Sequence, residues 1–281
     1  MRTTLQVAVL VVLAWTVIHA DTTEAPTAKA YQAYQDGEYA QCVNFYRAAI
    51  DAGASHWNLF YNAACCYALD GQTDSAFTYL SRAIDQGYRE TDWLKADSDF
   101  KSLHADPRWG GIVARVETAQ SAYLNSINIE LYQIYQADQA DRQSDLIDWS
   151  EVNLRDTQRR LRVQTMLDSG LVATADDYFH AAMVFQHGND SSDYSLAHKL
   201  ATTAVELDAT HGTAKWLLAA TKDRYLQSIG KPQWYGTQSR MIDGRWTIEP
   251  IDTTAVTDQD RRRLGVPSLA EARKRAEERN R

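Results

Sequence analysis

The chain has 281 residues, 44% hydrophobic and 23% charged, proportions that exclude wholesale disorder and collagen-like repetition. Five prolines and 13 glycines favour long helices over a loop-rich all-β chain, and the length suggests two domains or one long one. A formal net charge of −8 gives no basic footprint for nucleic acid, and three cysteines are too few for a disulfide scaffold or a four-cysteine zinc site.

Residues 1–20, MRTTLQVAVLVVLAWTVIHA, read as a secretory signal segment. Arg2 supplies the positive start, Leu5 to Ile18 the apolar run, and Ala20 a small residue at the cut. The polar DTTEAPT follows at once, so the mature chain is expected to begin near Asp21. The apolar run is shorter than the ~20 residues of a spanning helix, and no transmembrane span is expected in the mature protein. The competing reading is an uncleaved N-terminal anchor. Export to the periplasm or cell exterior implies an oxidising compartment. Two readings of Cys42, Cys65 and Cys66 then stand: a disulfide from Cys42 to Cys65 or Cys66, or three small buried side chains between helices. The second is preferred.

Residues 27–110 contain a repeat. AYQDGEYAQCVNFYRAAIDAG aligns with YALDGQTDSAFTYLSRAIDQG, pairing Gly37 with Gly71, Tyr46 with Leu80, Ala49 with Ala83 and Gly53 with Gly87. Small residues allow close helix approach, and Gly37 and Gly71 are expected to end the first helix of each pair. The 34-residue offset and this pattern resemble the tetratricopeptide family. The resemblance implies helical hairpins and a surface for a protein or peptide partner, with Tyr31, Asn44, Tyr61 and Asn62 as candidate contacts. Beyond the second unit, Trp93, Phe100, Leu103 and Trp109 are expected to cover the end of the stack.

Residues 120–281 are expected to form a second, mostly helical domain. Leu124, Ile127, Leu131 and Ile134 have helical spacing. Further helices are expected over 144–169, from Asp176–Asp177 to His187, and over Tyr194–Leu207 and Thr213–Ile229 as a hairpin joined by DATHG. Asp243–Gly244 between short β-prone runs predicts a β-hairpin, and Ser268 with Glu271 a capping box on a charged C-terminal helix. The fold class is mainly α: helical hairpins, then a helical domain with a small β-hairpin.

Five strings occur in order: DQADRQ (138–143), QHG (186–188), DR (223–224), GKPQWYGTQ (230–238) and RRRLGVPSL (261–269). Together they resemble the bacterial family named domain of unknown function 6624, over roughly residues 125–270. The resemblance implies a domain and points at residues; it implies no mechanism.

The candidate ligand-binding residues are Gln186, His187, Arg224, Gln233, Tyr235, Thr237 and Gln238, with His187 as candidate general base. Tyr235, Thr237 and Gln238 offer hydroxyls and an amide beside a glycine that permits close approach. The alternative is a structural turn whose side chains satisfy the backbone. His180 and His187, seven residues apart, are too widely spaced along a helix for one ion, so no metal and no cofactor are expected. Arg224 is a candidate for an anion or for a bridge to Asp138, and Asp138 with Arg142 forms an expected i,i+4 pair. The C-terminal arginines are read as a solvated helix, in preference to contact with an anionic surface. No G-x-S-x-G, Walker or Rossmann signature is present. The leading functional expectation is an exported protein-binding adaptor with a polar-pocket domain; the alternative is an enzyme, possibly a hydrolase, with its site at His187 and the YGTQ loop.

Overall fold

The computed structural model describes residues 24–143 and 147–280. The signal segment lies outside the described residues, as does the expected helix start at 144. The described chain is mainly helical and divides into two compact units between Tyr132 and Gln133.

The N-terminal unit opens with helices α1 (Glu24–Gln35), α2 (Tyr39–Asp51), α3 (Trp57–Leu69) and α4 (Thr73–Asp85). Helix α1 packs on α2, α2 on α3, and α3 on α4, giving the expected paired helices. The backbone repeats with the sequence. Gly37 and Gly71 both have φ +75°, and Gly53 and Gly87 have φ +98° and +99°. At Gly37 the chain closes through Gly37 N–H to Tyr34 O and Glu38 N–H to Ala33 O; at Gly71 the equivalents run to Ala68 O and Tyr67 O. This closure satisfies the last helical carbonyls and needs a left-handed residue, which glycine adopts without a Cβ penalty. A Cβ at either position would meet nothing within 4 Å, so backbone conformation and not space selects the glycine.

Helix α5 (Thr91–Ala96), a 3₁₀ turn (Ser98–Leu103) and α6 (Trp109–Ser126) follow. Phe100 and Leu103 are fully buried in the core of the helix pairs, with Trp93 and Trp109 packed partly buried against it, as expected of a closing segment. Cys42 on α2 and Cys66 on α3 form a disulfide, and Cys65 is a buried free thiol. This corrects the preference for three unpaired cysteines. Residues 65 and 66 point about 100° apart on a helix, so the choice of partner rests on which face of α3 meets α2. Of the candidate partner contacts, Tyr61 is buried and donates its hydroxyl to Asp97, Asn62 lies near Tyr46, and Asn44 remains exposed.

Helix α7 (Ile129–Ala140) contains the division between the units. The C-terminal unit continues with α8 (Trp149–Asp168), α9 (Ala175–Phe185), α10 (Ser191–Leu207) and α11 (Gly212–Ser228). Helix α10 packs against both α9 and α11, forming the expected hairpin with the latter. Local chemistry sets the starts. Thr174 and Asp177 form a capping box on α9, and Asp148 and Asp190 cap α8 and α10 through backbone N–H groups. Strands β1 (Arg240–Ile242) and β2 (Arg245–Thr247) pair antiparallel, Met241 opposite Trp246. Asp243 and Gly244 between them have φ +49° and +75°, the doubly left-handed turn that an Asp-Gly hairpin requires. Helix α12 (Asp258–Arg263) precedes α13 (Leu269–Glu278), whose Ser268–Glu271 capping box is present as expected.

Candidate functional site: a cleft beside His187

The QHG turn begins where α9 ends. His187 Nδ1 lies 2.9 Å from Asp138 Oδ2. Asp138, on α7, is wholly buried and also accepts from Gln139 Nε2 at 2.7 Å and Arg142 Nη1 at 3.0 Å. Arg142 extends to Asp156 Oδ2 at 2.6 Å, so the expected Asp138–Arg142 pair is part of a network between α7 and α8. Arg159 joins Asp156 to Asp141, which Arg155 also holds. A carboxylate already receiving Arg142 and Gln139 accepts the third donor from His187, which assigns the imidazole proton to Nδ1 and leaves the lone pair on Nε2. Burial pushes the His187 pKa below its usual value; Asp138 opposes this, while Arg142 and Arg224 add to it. The imidazole is therefore neutral at neutral pH and competent to accept a proton.

The backbone of the turn is equally constrained. Arg160, buried, donates to His187 O at 3.0 Å and pairs with Asp193 at 3.2 Å. Tyr194 donates its hydroxyl to Gly188 O at 2.8 Å. A Cβ at Gly188 would stand 2.2 Å from Asp193 Cβ, so only glycine fits there. Arg224 does not bond Asp138; it lies near Tyr194, and burial holds its pKa below the usual arginine range.

The YGTQ loop is tied down by side chains from both sides. Asp223, wholly buried on α11, accepts from Trp234 N at 2.8 Å and Tyr235 N at 3.0 Å through Oδ1. Its Oδ2 accepts from Thr237 N at 2.9 Å and Thr237 Oγ1 at 2.8 Å. Arg261, also buried, donates to the Trp234 and Tyr235 carbonyls. Gln233 accepts from Gln238 N and donates to Gln238 O and Ile248 O. Gln238 donates to Ala220 O and Thr237 Oγ1. Gly236 sits at φ +78°, where a Cβ would lie 3.1 Å from Ile251 Cδ1. The amides of Gln233 and Gln238 and the Thr237 hydroxyl thus knit the loop together.

A cleft of about 610 Å³ brings the two segments together. Gln186, His187, Gly236 and Thr237 line it, whereas Arg224, Gln233, Tyr235 and Gln238 do not. Phe179, Met183, Trp216, Ile248 and Val266 form its apolar wall. Arg142, Arg275 and Arg279 also line it, and among the described residues no Asp or Glu does. The C-terminal cations, expected to form a solvated face, are exposed at Arg275 and Arg279, yet both border the cleft. Their signal is the α13 spacing of Ala272, Arg275, Ala276 and Arg279, positions i, i+3, i+4 and i+7, which fall on one helical face.

His180 is not part of the cleft lining. It is buried and stacked on Tyr135 at 4.6 Å, and burial pushes its pKa down to about 4. Thr213, which lines the cleft, hydrogen-bonds His211 Nδ1, but that nitrogen also accepts from Ala214 N as the cap of α11. In the N-terminal unit, Cys65, Asp97 and Asp99 place a thiol and two carboxylate oxygens within 4.8 Å of one another. Tyr61 and Tyr34 donate to the two carboxylates, and Asp97 also caps the 3₁₀ turn.

No protein-family model matches this chain, and no curated protein matches it. Among the described residues, no helix is long and apolar enough to cross a membrane.

Proposed function

We propose that this is an exported two-part protein whose C-terminal unit binds a small molecule in the cleft beside His187, and whose N-terminal helix pairs, tetratricopeptide-like, take a protein or peptide partner. The observation that carries the reading is the cleft itself. It unites the QHG and YGTQ strings, 49 residues apart at His187 and Gly236, around an imidazole held by a buried carboxylate. Clefts of this size, with an apolar wall and convergent polar groups, are a usual form of small-molecule sites. The strings that resemble domain of unknown function 6624 support one functional unit. Asp138, Arg142 and His187 share a network, while Asp223 and Arg261 clamp the YGTQ loop. Export is supported by the 1–20 pattern and by the Cys42–Cys66 disulfide, which suits an oxidising compartment.

A second reading, an enzyme, is favoured by the His187–Asp138 pair. With Nδ1 donated to Asp138, Nε2 can take a proton from water as that water's oxygen bonds to an acyl or phosphoryl centre, and return it to the leaving group's oxygen or nitrogen as the bond from the centre to that group breaks, which is the hydrolase reading. The test is a small-molecule thermal-shift screen followed by calorimetry and turnover assays of the hits on wild type and His187→Ala. Hits bound by wild type and lost in the variant support the cleft; hits indifferent to His187→Ala remove it. Intact mass of non-reduced exported protein is expected to correspond to a start near Asp21 with one disulfide; retention of residues 1–20 would contradict cleavage.

A further inference from the structure

The charge of the cleft is opposite to that of the chain. Against a formal net charge of −8, the lining carries, among the described residues, three arginines and no carboxylate. Arg142 is matched by Asp138 and Asp156. Arg279 is placed differently: it donates to Ser239 Oγ at 2.8 Å and lies 5.3 Å over the Trp246 ring, both neutral groups. Arg275 stands one turn before it on the same helical face, with Ala272 and Ala276 also on the lining. The opposite character lies deeper. Phe179, Met183, Ile248 and Val266 are all buried, so the apolar wall is fixed by core packing.

We propose that the cleft takes a single small amphiphilic anion, its carboxylate or phosphate head on the Arg275–Arg279 face of α13 and its apolar body against Phe179, Met183, Trp216 and Ile248. This rests on the ligand-binding reading of the same cleft and names the class of ligand. Guanidinium forks match both head groups, which gives an anion the advantage over a neutral molecule of equal length. The apolar wall gives the amphiphile the advantage over the bare head group.

The experiment titrates decyl phosphate, decanoate, decanol and inorganic phosphate, the amphiphiles below their aggregation concentrations, into the full mature protein by calorimetry. At least one amphiphilic anion is expected to bind about tenfold or more tighter than both decanol and inorganic phosphate. The pair Arg275→Gln and Arg279→Gln is expected to remove that advantage, leaving decanol binding and the melting temperature unchanged. Should loss of the Ser239 contact destabilise the pair, Arg275→Gln alone carries the same test with a smaller loss. Decanol binding as tightly as the anions, or anion affinity unchanged in the arginine variants, overturns the proposal. The two readings fail separately. Decanol and anions bound equally, and both lost in Trp216→Ala, would retain the cleft and remove the anion preference. No binding by any probe, together with a library screen indifferent to His187→Ala, would remove both.

Discussion

The QHG turn and the YGTQ loop look alike in sequence: each follows a helix, and each is dense in polar groups beside a glycine. In the structure they differ in what those groups face. The loop's side chains bond its own backbone and α11, with Asp223 alone accepting four hydrogen bonds. The turn has its backbone held by Arg160 and Tyr194, and its imidazole, bonded through Nδ1 to Asp138, lines the cleft. A polar string is therefore no measure of a binding site; what decides is how many of its groups the fold has already partnered. The loop supports the cleft wall through Gly236 and Thr237, and the turn supplies its titratable group.

Breaking the loop's anchor is expected to give the largest effect. Asp223→Ala leaves three backbone N–H groups and a hydroxyl without their acceptor, and at ~1–3 kcal/mol per buried unsatisfied group the loss is about 4 kcal/mol or more. Denaturant unfolding checks it. A loss below about 1 kcal/mol would mean that the loop is not clamped as described.

Acid is expected to act on the helix that leads into the turn. His180, half of a stacked pair with Tyr135, has a folded pKa near 4 against an ordinary value of 6.5, because burial disfavours the imidazolium. The neutral form's contribution is complete above pH 6.5 and is lost as pH falls towards 4, a change of about 3 kcal/mol. His187, also lowered by burial, adds in the same direction. Melting temperature across this window should fall less steeply in His180→Phe than in wild type; identical slopes would remove His180 from the account.

Gly188→Ala is expected to cost roughly 1–3 kcal/mol, because the new methyl must displace Asp193, the partner of Arg160. The turn would move with it, so cleft binding should weaken along with stability. Gln238→Ala is the mildest change, about 1 kcal/mol, since its amide donates only two bonds, at 3.4 Å to Ala220 O and 3.0 Å to Thr237 Oγ1. Cleft binding should survive it.

The helices and their ends were legible because their causes are local. The Gly37 and Gly71 helix ends, the Ser268–Glu271 box and the Asp243–Gly244 turn each lie within a few residues of what they determine. The cleft was legible only in part. His187 and the YGTQ string stood out as polar residues beside glycines. The tying of Thr237 to Asp223 depends on a chain reversal 14 residues long, which no periodicity reports. The arginines of α13 read as a solvated face because the surface they border is built by residues nearly a hundred positions earlier, such as Phe179 and Met183. The disulfide was ambiguous for the same reason: adjacent Cys65 and Cys66 are separated only by which face of α3 turns to α2.

The contrast between turn and loop is tested most directly by a thermal-shift and calorimetric screen of one small-molecule library on wild type, His187→Ala and Gln238→Ala. Hits bound by wild type are predicted to be lost in His187→Ala and kept in Gln238→Ala. Hits that survive His187→Ala but vanish in Gln238→Ala would place ligand recognition in the loop and contradict the account.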